Sequence, residues 1–159
     1  MNAIIRSAEE SFQNGMLELR YGRPTRALQQ FRAAISVASE TTSHAKHRAK
    51  YFSYYGICLH RTGGSIREVL RVCRKAVTID PNQPVLWRNL AYVANAAGCP
   101  GQAYTALSRA HSLNPGHQGV LGELLDLGVR RRPVLFFLSR TNPINARLGK
   151  IRAWMTRSK

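Results

Sequence analysis

Acidic residues are scarce. The 159-residue chain has 8 Asp+Glu against 24 Lys+Arg, a formal net charge of +16. So few carboxylates leave few candidates for a general acid or base. The excess of positive charge favours an anionic partner such as nucleic acid, an acidic protein surface or anionic lipid. Cysteine is scarce too. Cys58, Cys73 and Cys99 are 15 and 26 residues apart, which makes neither a disulfide framework nor a zinc pattern. They are expected to act as small core hydrophobes, and a reducing cytoplasm is the expected compartment. Long apolar runs are missing as well. "VLFFL" at 134–138 is far too short to span a bilayer, and "MNAIIRSAEESFQNG" lacks the apolar core and cleavage site of a signal peptide. There is no glycine-rich phosphate loop, no nucleophile motif and no signature of a base-reading module. His44 and His47 are one helical turn apart, without nearby acids or cysteines to complete a metal site. The expectation is a protein that is not an enzyme, with no cofactor, no metal and no small-molecule substrate.

What the sequence does contain is a spacing. Counting back from Pro115 gives Ala110, Leu107 and Ala103; counting back from Pro81 gives Ala76, Cys73 and Val69 by the same steps. An earlier copy reads Ala27, Phe31 and Ala34, with Ser39 in place of the proline. The last two copies are 34 residues apart, a period that marks a solenoid of helix pairs. Residues seven apart share one helix face, and side chains as small as alanine let a neighbouring helix come close. Leu107 lies on the same stripe and fills the groove. The Asp80-Pro81 and Asn114-Pro115 steps end the second helix of each pair, because a residue before proline resists the helical conformation. The first helix of the last pair has Trp87, Leu90, Ala91 and Ala94, and the preceding copy has Phe52, Tyr55, Gly56 and Leu59. Gly98 and Gly63-Gly64 fall where each pair must turn.

This pattern resembles the tetratricopeptide repeat (TPR) family: an aromatic, Leu-Gly, Tyr, Ala, Phe, Ala and a closing Pro. Trp87 to Pro115 matches with Ala91 for the Gly and Ala94 for the Tyr. Phe52 to Pro81 matches with one extra residue at the turn, and the first copy has Gly15, Gly22, Ala27, Phe31 and Ala34. Ala34 and Ala76 are 42 residues apart, so the extra "SHAKHRAK" region is expected to lengthen one or both helices there. The resemblance covers roughly residues 8–116 and implies an all-α, right-handed solenoid of three helix pairs. It further implies a concave groove lined by the first helices. The positions carried over are Phe12, Met16 and Arg20 from the first copy. Lys50, Ser53, Ile57, His60 and Arg61 come from the second, and Arg88, Tyr92 and Asn95 from the third. Such a groove is mixed apolar and basic. Its arginines would suit carboxylates through paired hydrogen bonds, and Phe12, Met16 and Tyr92 would hold apolar anchors. Ser53 and Tyr92 stand where the polar clamp of chaperone-binding members would be sought, so that activity is not implied. "YFSYYG" at 51–56 offers ring faces on which bases could stack; at helical spacing it is read first as core and groove.

The C-terminal residues are different in kind. Val120, Leu121, Leu124, Leu125 and Leu127 suit a capping helix over 117–131. Arg130, Arg131 and Arg132 complement its C-terminal dipole. The expected boundary is therefore 1–132 for the solenoid with its cap and 133–159 for an extension. In the extension Pro143 opens a helix with Ile144, Leu148, Ile151 and Met155 on one stripe and Arg147, Lys150, Arg152 and Arg157 off it. Residues 127–159 hold nine basic side chains and no acid. This basic amphipathic helix with its Trp154, and Arg140 before it, has three readings: folding back on the solenoid, docking on an anionic membrane, or binding an acidic protein or nucleic acid such as RNA. The function expected overall is a non-catalytic adaptor or scaffold that takes an acidic, partly hydrophobic segment and joins a larger assembly. A peripheral ribonucleoprotein or nucleic-acid component, or one recruited to a membrane surface, is the alternative.

Overall fold

The structure, a computed structural model, describes residues 3–39 and 45–127. They form seven helices: α1 (Ala3–Arg20), α2 (Pro24–Ser39), α3 (Ala45–Arg61), α4 (Ile66–Ile79), α5 (Pro84–Ala96), α6 (Pro100–Leu113) and α7 (Gln118–Asp126). Consecutive helices pack in pairs, α1 on α2, α3 on α4 and α5 on α6. Each pair leans on the next through α2–α3 and α4–α5, and α7 closes on α6.

The spaced residues are the core of each second helix. Ala27, Phe31 and Ala34 of α2, Val69, Cys73 and Ala76 of α4, and Ala103 and Ala110 of α6 are fully buried, and Leu107 of α6 is nearly so. Opposite each middle residue the first helix has a minimal side chain. A methyl group on Gly15 would sit 2.7 Å from the Phe31 ring, and one on Gly56 would run into Cys73 Sγ. In the third pair Ala91 shares a core cluster with Leu107. The turns within the pairs use one device. Gly22, Gly63 and Gly98 have φ of 70°, 80° and 69°. The next residue's N–H reaches back to the carbonyl five residues earlier, as Gly64 does to Leu59 at 2.8 Å and Cys99 to Ala94 at 2.9 Å. This is the left-handed helix stop that glycine adopts without a Cβ penalty. Between pairs, Asp80 is buried, accepting from the Asn82 N–H at 3.2 Å and from Gln83, while Trp87 Nε1 donates to the Pro81 carbonyl at 2.8 Å. Pro84 and Pro100 stand in the first turns of α5 and α6, where a missing N–H costs nothing.

The extra residues of the second copy lengthen its first helix: α3 has 17 residues where α5 has 13. Of the cap expected over 117–131, the described part is α7, Gln118–Asp126; residues 128–131 lie outside the described residues. Val120 is buried, and Leu124 and Leu127 pack on the third pair, while Leu121 and Leu125 are exposed. Positions 120, 124 and 127 share one stripe, and 121 and 125 lie on another. The expected boundary at 132, Arg130–Arg132 and the basic helix of the extension lie outside the described residues.

Candidate functional site

The first helices α1, α3 and α5 meet in an open concavity of about 560 Å³. Its lining is Phe12, Gln13, Asn14, Met16, Leu17 and Arg20 of α1, Lys50 and Tyr54 of α3, and Val85 of α5. Four of the eleven carried-over positions (Phe12, Met16, Arg20 and Lys50) therefore come together. Helical spacing explains them: Gln13, Leu17 and Arg20 follow i, i+4, i+7, and Lys50 and Tyr54 are one turn apart. Gln13, Asn14, Leu17, Tyr54 and Val85 were not among the carried-over positions. Tyr54 lies one turn after Lys50, and Leu17 one turn before Arg20.

The floor is aromatic. Phe12 is buried, with its ring centroid 5.5 Å from Phe31, 5.0 Å from Tyr51 and 5.7 Å from Tyr54. Tyr51 is buried and donates from its hydroxyl to Glu9 Oε2 at 2.9 Å, tying α3 to α1. Burial, then that bond to a carboxylate, pushes its pKa up. Tyr54 is also raised by burial, against the pull of the nearby Arg88 charge. "YFSYYG" thus supplies core at Tyr51 and both core and groove at Tyr54.

The remaining positions divide. Ser53 is fully buried and accepts from Asn89 Nδ2 at 2.9 Å, a bond between α3 and α5. Ile57 is buried among Val69, Cys73 and Val93. Both sit inside the seams of α3 and do not face the concavity. His60 is half-buried, its ring edge-on to Tyr92 at 5.8 Å. Tyr92, Asn95 and Arg61 are exposed. Arg88 already has an acid: its Nε donates to Glu123 Oε1 of α7 at 2.8 Å, and Nη2 donates to the same oxygen. That bond holds the guanidinium above its ordinary pKa. The lining of the concavity thus includes two cations, Arg20 and Lys50, whereas Arg88 lies outside that lining and is paired with Glu123. Among the described residues no group of three His, Cys, Asp or Glu could hold a metal. His47 Nδ1 stands 3.9 Å from Glu9 Oε2, and His44 lies outside the described residues.

Among the described residues no helix is long and apolar enough to cross a membrane. No protein-family model and no curated protein matches the chain. Solved structures do. The Arabidopsis OM64 TPR domain superposes with a TM-score of 0.66 at 13% identity, over 79% of this chain and 98% of its own. The TPR2B domain of yeast Sti1, in its complex with pHsp70, gives 0.62 at 21% identity over 77% and 93%. The first TPR of Spaghetti (RPAP3), bound to the HSP90 peptide SRMEEVD, gives 0.66 at 12% identity over 77% and 93%. With seven described helices packed as consecutive pairs in that manner, this chain has the fold of a tetratricopeptide-repeat domain.

Proposed function

We propose that the chain is a non-catalytic adaptor of a multiprotein complex, whose concave face holds an acidic, partly hydrophobic segment of a protein partner. The observation that carries this reading is the chemistry of the concavity: Met16, Leu17, Tyr54 and Val85 for apolar anchors, with Arg20 and Lys50 for carboxylates. Arg88 is paired with Glu123, so the ligand's carboxylates fall to Arg20 and Lys50. His60, Arg61, Tyr92 and Asn95 extend the same face, and Phe12 backs it; Ser53 and Ile57 serve it only by fixing α3. The HSP90 peptide bound by the Spaghetti domain, SRMEEVD, combines a methionine with acidic residues, the same mixture. The basic residues Arg130, Arg131, Arg132, Arg140, Arg147, Lys150, Arg152 and Arg157, with Trp154, add contacts to anionic protein, lipid or RNA in this proposal, at a cytoplasmic assembly.

Selection from a random displayed-peptide library, followed by fluorescence polarisation, tests the groove. The expected result is enrichment of Asp and Glu beside Leu, Met or Phe. Each lost charge-assisted contact is worth roughly tenfold in affinity, so R20E/K50E is expected to weaken the selected peptide by about a hundredfold. R26E/R32E on α2 makes the same change in net charge. An equal fall there would leave bulk charge as the whole effect and sink the groove reading.

A further inference from the structure

The outward side of α4 takes no part in the concave face. Arg67, Arg71 and Arg74 follow i, i+4, i+7 and are exposed, as is Lys75 beside them. Val69, Val72, Cys73, Ala76 and Val77 are buried on the other side of the helix. Two of the four cations are fixed in place: Arg74 Nη2 donates to Gln102 Oε1 of α6 at 2.7 Å, and Lys75 Nζ stands 4.4 Å from the centre of the Phe52 ring. Arg67 and Arg71 make no ion pair with any described residue. The second helices α2, α4 and α6 together have a single acid, Glu68.

We propose that this stripe is a docking surface for the phosphate backbone of nucleic acid. Three physical points favour that partner. Arginine presents a planar fork that matches phosphate, and three of the four cations are arginines. The stripe itself contains no apolar side chain; the exposed large hydrophobics described on the second helices are Ile66 and Tyr104. It therefore lacks both the wedge that seats a helix in a bilayer and the apolar centre of a protein interface. Seven helical residues rise about 10 Å, the axial length over which one strand of a duplex presents about three phosphates. Nothing on the stripe reads base edges, so binding is independent of sequence.

The test uses the full chain and a labelled mixed-sequence DNA duplex, with affinity measured over a range of salt. R67Q/R71Q removes two exposed cations, and an unchanged far-ultraviolet circular dichroism spectrum establishes that the fold is intact. Each phosphate contact contributes about 0.9 to the slope of log affinity against log salt, so the variant is expected to lose about 1.8 from it. R6Q/R48Q, on the first helices, removes the same charge and is expected to leave the slope unchanged. An equal loss in both variants, or in neither, overturns the proposal. So does polyglutamate binding that the wild type shows and R67Q/R71Q loses while duplex binding persists, which assigns the stripe to an acidic protein.

Discussion

A methyl group added at Gly15 would land 2.7 Å from a carbon of the buried Phe31 ring. Gly15→Ala is therefore expected to cost about 1–3 kcal/mol by overpacking, and the pair G15A/F31L to recover part of it in chemical denaturation. Gly101, where nothing lies within 4 Å, is the matching control. The thiols make a second prediction. Burial pushes Cys58 up to about 11 and Cys73 up to about 12, and both are fully buried, whereas Cys99 is half-exposed. A thiol reagent at neutral pH should modify one cysteine quickly and two only on unfolding. The same shifts set a pH dependence. The folded state holds these protons more tightly than the unfolded chain, so their contribution is complete below the ordinary thiol pKa and is lost as pH rises through about 11 to 12. Stability should decline above about pH 9, the C58A/C73A variant less steeply than the wild type. The small residues were legible in the sequence because size at fixed spacing is a packing statement. What each faces, a phenyl ring or a sulfur, is not, because it depends on the crossing of two helices.

Helices packed mainly on one partner and helices packed among several read differently. α6 keeps one buried stripe, Ala103, Ala106, Leu107 and Ala110, and its spacing declares it. α3 packs against α2, α4 and α5, so its buried residues spread around the helix and include Ser53 and Ile57. One repeat's pattern therefore cannot separate groove from seam on α3, while on α1 Met16, Leu17 and Arg20 all line the concavity. The fate of Arg88 was illegible for another reason, since Glu123 is 35 residues away and belongs to the helix after the last full pair. That pair is the polar tie of α7, beside the apolar contacts of Val120, Leu124 and Leu127. Both side chains are over a third exposed, so the tie is worth no more than about 1 kcal/mol. Glu123→Gln is expected to raise amide exchange in α7 while α1 to α4 keep their protection. The swap R88E/E123R should restore α7, and uniform loss of protection along the whole chain would contradict a local tie.

Charge acts on the molecule as a whole. The second helices have seven Arg and Lys against Glu68, whereas α1 and α7 hold five of the eight acids. The ion pairs between described residues are few: Arg23–Glu18 at 3.7 Å, His47–Glu9 at 3.9 Å, and Arg88–Glu123. They are short-range and surface-exposed, so salt weakens them only modestly in absolute terms. Repulsion among the excess cations of a +16 chain works over longer distances and opposes compaction. Raising ionic strength from about 0.01 M to about 0.15 M shortens the screening length from about 30 Å to about 8 Å. That range removes long-range repulsion first and contacts under 4 Å last. The melting temperature should therefore rise with sodium chloride, by about 2–4 °C for each kcal/mol of repulsion relieved. Removing two cations by R67Q/R71Q should raise it at low salt and flatten the dependence. A melting temperature that falls with salt would mean that the three ion pairs outweigh the repulsion, and that the outer cations are compensated in the folded chain rather than held open for an anionic partner.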